Sequence, residues 1–221
     1  MTELLPPELF GFWRSSATFR VRVALALKGI EAIEHIIDVD AGAQRDPSFL
    51  AINSLGAVPA FIEAGQSPLT QSTAILEYLD ETVSEPPLLP SDARGRARVR
   101  SIAAMLTADT HPLVVPRVKI YLKENGGFDD AGWRRWQIHW LTTGLQAVEA
   151  RLADEHETGQ FCHGNQVTIA DVCLASVTAV RDVFGIVVAD IPIIDGIVSR
   201  CALLPAFQTA APFRQAGAPT L

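Results

Sequence analysis

The run Ser84-Glu85-Pro86-Pro87-Leu88-Leu89-Pro90 limits what this chain can fold into more than any other stretch. Each proline removes a backbone donor and fixes φ near about −65°, so neither a long helix nor a sheet ladder continues through the run. The hydrophobic pattern changes across it. Upstream, strand-like and helix-like segments alternate; downstream, strand-like segments disappear. The boundary between two domains therefore falls in this bridge, with a first domain over residues 8–85 and a second over 91–216.

In the first region, Leu9, Phe10, Phe12 and Trp13 end an apolar strand, and Arg14-Ser15-Ser16 make a turn. Ala17, Val21, Ala24 and Leu25 then fall on one helical face, and Gly29 suits the position just past the helix end. Residues 32–39 read as a second strand, which completes a βαβ unit. Residues 45–52 form a short helix, 58–63 a strand, 67–70 its short partner, and 72–82 an amphipathic helix striped by Ile75, Leu76, Leu79 and Val83. A βαβ unit followed by a hairpin and a helix is the order of a thioredoxin-like domain. Proline cannot donate to a ladder, which puts Pro59 at the first residue of its strand.

Past the bridge, residues 93–109, 112–124, 130–154, 169–184 and 194–203 all read as helices, so the second domain is expected to be an all-helical bundle. Trp133, Trp136 and Trp140 recur at helical spacing, continued by Leu145 and Ala147, a stripe that reads as core. Arg94, Arg96, Arg98 and Arg100 alternate along a helix start and read as a solvated face without chemistry. Thr168 followed by Asp171 has the spacing of a capping box, with Val167 and Val172 placed to staple it.

Composition excludes several classes. A net charge of −7 opposes general attraction to nucleic acid or anionic membrane, so an anion site must be locally basic. No run of about 18 apolar residues suits a membrane span. The opening MTELLPPELF lacks the basic and apolar regions of a secretory signal, and a cytoplasmic location is expected. Cys162, Cys173 and Cys201 are odd in number and widely spaced; they read as reduced buried thiols, with neither a disulfide framework nor a metal pattern.

The chemistry is concentrated at Ser15 and Ser16. Serine is a preferred N-cap, and a hydroxyl pair at the positive end of a helix is a place to hold an anion. Capping alone is the plainer interpretation of any one such pair. Seven residues bear a wider pattern: Ser15, Ser16, Arg20, Val21, Arg22, Ala24 and Leu25. The segment resembles the signature S-S-C-x-x-R-V-R-I-A-L of the zeta class of glutathione transferases, which includes maleylacetoacetate and maleylpyruvate isomerases. Ala17 stands where many members have cysteine, and Val23 replaces isoleucine.

The resemblance implies the glutathione transferase fold, a thioredoxin-like domain followed by an all-helical one, with glutathione as cofactor. It implies a homodimer acting on a small anionic or electrophilic substrate, with no nucleic acid or membrane partner. In the element T-Q-S-T-A-I, Gln71 and Ser72 would face the γ-glutamyl carboxylate. Val58, before a cis Pro59, would exchange backbone hydrogen bonds with the cysteinyl unit, and Gln44 would lie at the glycine end. Ser15 and Ser16 would stabilise the thiolate. Lowering a thiol pKa by about two units takes roughly 2.7 kcal/mol. One hydroxyl donor to a charged acceptor supplies about 1.5 to 3 kcal/mol, and a helix N-terminus adds about 0.3 to 1.

The reaction implied is isomerisation of a small diketo diacid through reversible thiolate addition to a cis double bond. Conjugation of glutathione to electrophiles, peroxide reduction and a non-catalytic binding module are the alternatives on the same fold. A dianionic substrate calls for guanidinium groups. Arg14 is the first candidate, joined from the second domain by His111 and Arg117 in T-H-P-L-V-V-P-R-V. The isomerases usually place arginine directly before the residue corresponding to Phe184; here that position is Val183, with Arg181 two residues earlier. Two positions is roughly 200° around a helix, so Arg181 faces elsewhere.

Overall fold

The computed structural model describes residues 5–219, which fall into two compact units. The described parts of Met1–Pro87 and Leu204–Leu221 form the first, and Leu88–Leu203 the second.

The first unit begins with strand β1 (Glu8–Gly11) and helix α1 (Ser16–Leu27), followed by β2 (Ile33–Ile36) and the short α2 (Pro47–Leu50). It continues with β3 (Ala60–Ile62), β4 (Leu69–Thr70) and α3 (Ser72–Thr82). Sheet order is β2-β1-β3-β4: β1 pairs parallel with β2, while β3 runs antiparallel to both β1 and β4. This is the thioredoxin-like arrangement. Helix α1 ends as its sequence dictates, with Lys28 as C-cap and Gly29 next at φ 66°, a conformation that glycine adopts without a Cβ penalty.

Apolar residues of α1 (Val21, Ala24, Leu25) and α3 (Ile75, Leu76, Leu79) are buried with Leu9 and Phe61 of the sheet. Burying one such large side chain contributes about 1.5–3 kcal/mol, so this cluster fixes where the two helices start relative to the strands. Pro59 sits immediately before β3, and the Val58–Pro59 bond is cis. A second cis bond, Glu85–Pro86, lies in the bridge.

The second unit contains α4 (Ala93–Ala104), α5 (Pro116–Asn125), α6 (Asp130–Asp154), α7 (Ile169–Val183) and α8 (Pro192–Ala202). Among its described residues there is no strand. The segment expected as one helix over 93–109 becomes α4 plus a π-helical stretch, Met105–Thr110. The next is split into a 3₁₀ turn, His111–Val114, and α5, because Pro116 takes the first helical position after an extended Val115. Helix α7 is buried on all sides through Thr178, as expected of the central helix of a bundle.

Three readings change. Residues 204–216, placed by pattern with the helical domain, cluster instead with the first unit: helix α9 (Pro205–Ala210) packs on α1, with Phe207 and Phe19 ring centroids 6.4 Å apart. Arg98 is buried, not solvated; it donates to Glu155 Oε2 at 2.6 Å, the Cys162 carbonyl at 2.6 Å and Thr158 Oγ1 at 2.9 Å. The tryptophan stripe divides, since Trp133 is buried while Trp136 and Trp140 are half-buried. Among the described residues, no helix is long and apolar enough to cross a membrane.

Candidate active site

Sheet register gathers the expected first-domain residues. Phe10 pairs with Ala60 and Ala60 with Thr70. The segments leaving these pairs, Phe12 to Ser16, Val58-Pro59 and Gln71-Ser72, therefore lie at one end of the sheet. Two helices begin there. Neither α1 nor α3 carries an acidic residue in its first turn, so their positive ends are not neutralised from within.

Ser15 is the N-cap of α1, with φ −70° and ψ 117°, and its Oγ accepts from the Thr18 N–H at 3.2 Å. One lone pair is thus taken and the hydroxyl proton is left for another acceptor. The residue is half-buried, whereas Ser16 is only 2% exposed. Ser16 Oγ lies 3.4 Å from Arg20 Nη1. The turn fits because residue 11 is glycine: a Cβ there would sit 2.4 Å from Thr18 Cγ2, within the side chain of α1.

At the start of α3, Gln71 occupies φ 67° and ψ 106°, outside the range that a non-glycine residue prefers, and makes no side-chain cap bond. Strain of this kind costs on the order of 1–3 kcal/mol and collects at binding sites. Ser72 is buried and its Oγ accepts from Arg20 Nε at 2.9 Å. Gln44, in the 3₁₀ turn Ala43–Arg45, is buried, and its Oε1 has no hydrogen-bond partner among the described residues. Leaving such a group unpaired costs about 1–3 kcal/mol. Rotating the amide exchanges oxygen and nitrogen, so this position serves a donor or an acceptor. A Cβ at Gly56 would lie 3.0 Å from the Gln44 carbonyl, which ties this turn to the loop leading to Val58. Asn53 orders that loop by donating to the Ala57 carbonyl at 2.6 Å and accepting from Leu55 N–H at 3.2 Å.

Arg14 is not an open guanidinium. It pairs with the Asp40 carboxylate and lies over the Phe12 ring, 5.4 Å from its centroid. His111 and Arg117 belong to the second unit, His111 half-buried in the 3₁₀ turn and Arg117 exposed on α5. Arg181 pairs with Asp182 at 2.9 Å and lies 3.5 Å from Asp195. A cavity of about 550 Å³ in the second unit, with Phe128, Trp136 and Trp140 in its wall, is lined by none of the expected site residues.

Pattern reasoning missed Arg20 and Asn53 as parts of this constellation. Arg20 stands in the motif, but its Ser72 partner is 52 residues away.

The protein's own thiols supply no nucleophile. All three cysteines are buried, and burial pushes the thiols of Cys162 and Cys201 well up, so they stay protonated. Among the described residues no cluster suits a metal ion. What the site offers is hydroxyls and helix starts for an anionic guest.

Comparison with known proteins agrees. Residues 6–81 match the model of the glutathione S-transferase N-terminal domain. Maleylacetoacetate isomerase of Rhizobium meliloti is 40% identical over 207 residues, covering 93% of this chain and 96% of the relative. A crystal structure of maleylacetoacetate isomerase from Methylobacterium extorquens AM1 with bound malonate and GSH is 47% identical, with TM-score 0.94, covering 96% of this chain and 100% of that one. The holo structure of a maleylpyruvate isomerase, a bacterial glutathione S-transferase in zeta class, is 35% identical with TM-score 0.92 over 96% of this chain and 100% of its own. The chain belongs to the zeta class of glutathione transferases, the family of the maleylacetoacetate and maleylpyruvate isomerases.

Proposed function

We propose that this protein is a glutathione-dependent cis–trans isomerase of a small diketo diacid of the maleylacetoacetate or maleylpyruvate type. The observation that carries this reading is the half-buried Ser15 hydroxyl at the acid-free start of α1, with Ser72 at the acid-free start of α3 on the same end of the sheet.

The residues fit glutathione. Ser72, having accepted from Arg20, offers its proton to the γ-glutamyl carboxylate, assisted by the N-terminus of α3 and by Gln71. Val58, next to Pro59, presents backbone to the cysteinyl unit. Gln44 takes the glycine end, where its orphaned amide oxygen position finds a partner. Of the two serines, Ser15 faces the sulfur, since Ser16 is covered and lies against Arg20. When bound, glutathione supplies a thiolate able to add to a conjugated cis double bond and, after rotation about the single bond that results, to leave as the trans double bond re-forms. The protein's part is to hold the sulfur ionised and to orient both partners.

Substrate charge falls to guanidinium groups. Arg14 in the first unit serves a carboxylate once it exchanges Asp40 for substrate, and in the second unit His111 and Arg117 are the residues assigned to substrate charge. Malonate in the relative from Methylobacterium extorquens supports a dicarboxylate guest. We assign the working form to a cytoplasmic homodimer.

The test is calorimetric titration with glutathione, followed by turnover of maleylacetone and of an aryl halide. Binding together with isomerisation is the expected result. Absence of heat would reduce the protein to a binding module. Turnover of the halide without isomerisation would assign the pocket to conjugation, consistent with Val183 in place of an arginine.

A further inference from the structure

We infer that Arg20 is the positioning residue of the glutathione site, fixing the Ser72 hydroxyl as a donor and linking it to the Ser16 turn. This rests on the glutathione-dependent reading above. Arg20 is 3% exposed and stands four residues after Ser16 on α1. Helical side chains lean toward the N-terminus, so its guanidinium reaches back over the first turn. There Nε meets Ser72 Oγ at 2.9 Å, and Nη1 lies 3.4 Å from Ser16 Oγ.

The consequence follows from hydroxyl chemistry. A hydroxyl has one proton and two lone pairs, and a guanidinium has donors only. Nε occupies a lone pair of Ser72, so the Ser72 proton has to point elsewhere, and a carboxylate at the start of α3 is the acceptor that suits it. Because the fork is planar and rigid, one side chain registers the first turn of α1 against the first turn of α3. Lysine keeps the charge and lacks the fork.

This role differs from general support of the fold in one respect: it acts on the γ-glutamyl end of the ligand alone. The full-length protein and its Arg20→Lys, Arg20→Gln and Ser72→Ala variants are compared by inhibition constants for S-methylglutathione and for S-methylcysteinylglycine, which lacks the γ-glutamyl group. Each single variant is expected to weaken S-methylglutathione about tenfold, the factor that one hydrogen bond to a charged group represents. S-methylcysteinylglycine should change less than about twofold on the same scale. The Arg20→Lys/Ser72→Ala pair should lose no more than either single change, because both act through one contact. Equal losses for the two peptides, additive losses in the pair, or unchanged affinity in Arg20→Lys would overturn the assignment. If Arg20→Gln does not fold, Arg20→Lys and the pair decide it. Failure of the unsubstituted protein to bind S-methylglutathione would instead overturn the glutathione-dependent reading.

Discussion

Helices α1 and α7 each start at a hydroxyl residue in a tightly packed turn, and the two starts differ in what fills them. At α7 the Asp171 carboxylate accepts from the Thr168 N–H at 2.8 Å, the Thr168 hydroxyl at 2.8 Å and the Cys162 N–H at 2.7 Å. Its positive end is plugged by the protein's own anion. At α1 the Ser15 side chain satisfies one N–H, and no acid follows in the first turn. The buried arginines repeat the contrast. Arg98 donates to a carboxylate, a carbonyl and a hydroxyl within residues 155–162, whereas among the partners of Arg20 are the Ser72 and Ser16 hydroxyls, and a hydroxyl that accepts still has a proton to give. Similar parts thus make a closed structural knot in one unit and a receptive surface in the other.

Breaking the plug should have the largest effect. Asp171→Ala leaves three buried donors unpaired and is expected to cost at least about 3 kcal/mol, or roughly 6–12 °C in Tm, in denaturant and thermal melts. A loss below about 1 kcal/mol would mean that the plug is not structural. Ser15→Ala addresses the open start. Stability should fall by only about 0.5–2 kcal/mol, the usual worth of an N-cap, while the pKa of bound glutathione thiol, followed by thiolate absorbance, should rise by about one to two units. An unmoved titration would remove Ser15 from the mechanism.

The smallest effect belongs to Glu155. Burial works upward on its carboxyl, but the hydrogen bonds and charges of Arg98 and Arg151 outweigh it and hold it below its ordinary value of 4.5. A folded-state value lying under the unfolded one stabilises above about pH 4.5, and that advantage disappears as pH falls through the depressed value. The stability difference between the unsubstituted protein and Glu155→Gln should therefore be present near neutrality and shrink in acid, with glutathione affinity unchanged at neutral pH. A difference constant across that window would detach Glu155 from the Arg98 knot.

Much of this was legible in the sequence where the signal is local. Helices 72–82 and 130–154 appear with their expected bounds, because the apolar stripe of the first and the Asp129 cap of the second are local to each segment. Ser15, Ser16, Gln71 and Ser72 were legible as helix starts for the same reason. What escaped depends on distant partners. Arg98 reads as one of four alternating surface charges until Glu155 and Cys162, 57 and 64 residues on, are seen to enclose it. Arg14 reads as an available cation, and only the folded loop brings Asp40 to it. Helix α9 is a single short turn-and-a-half between prolines, and its docking on α1 depends on Phe19 rather than on any pattern of its own.

That docking has a consequence for how the protein is made. The helix bearing the serines precedes α9 by about 180 residues, yet its Phe19 packs against Phe207. On the ribosome, α1 emerges well before the helix that covers it. Meanwhile Leu88–Leu203 has every one of its elements in hand before α9 appears, so the bundle is in a position to close while the serine-bearing unit is still lacking its final piece.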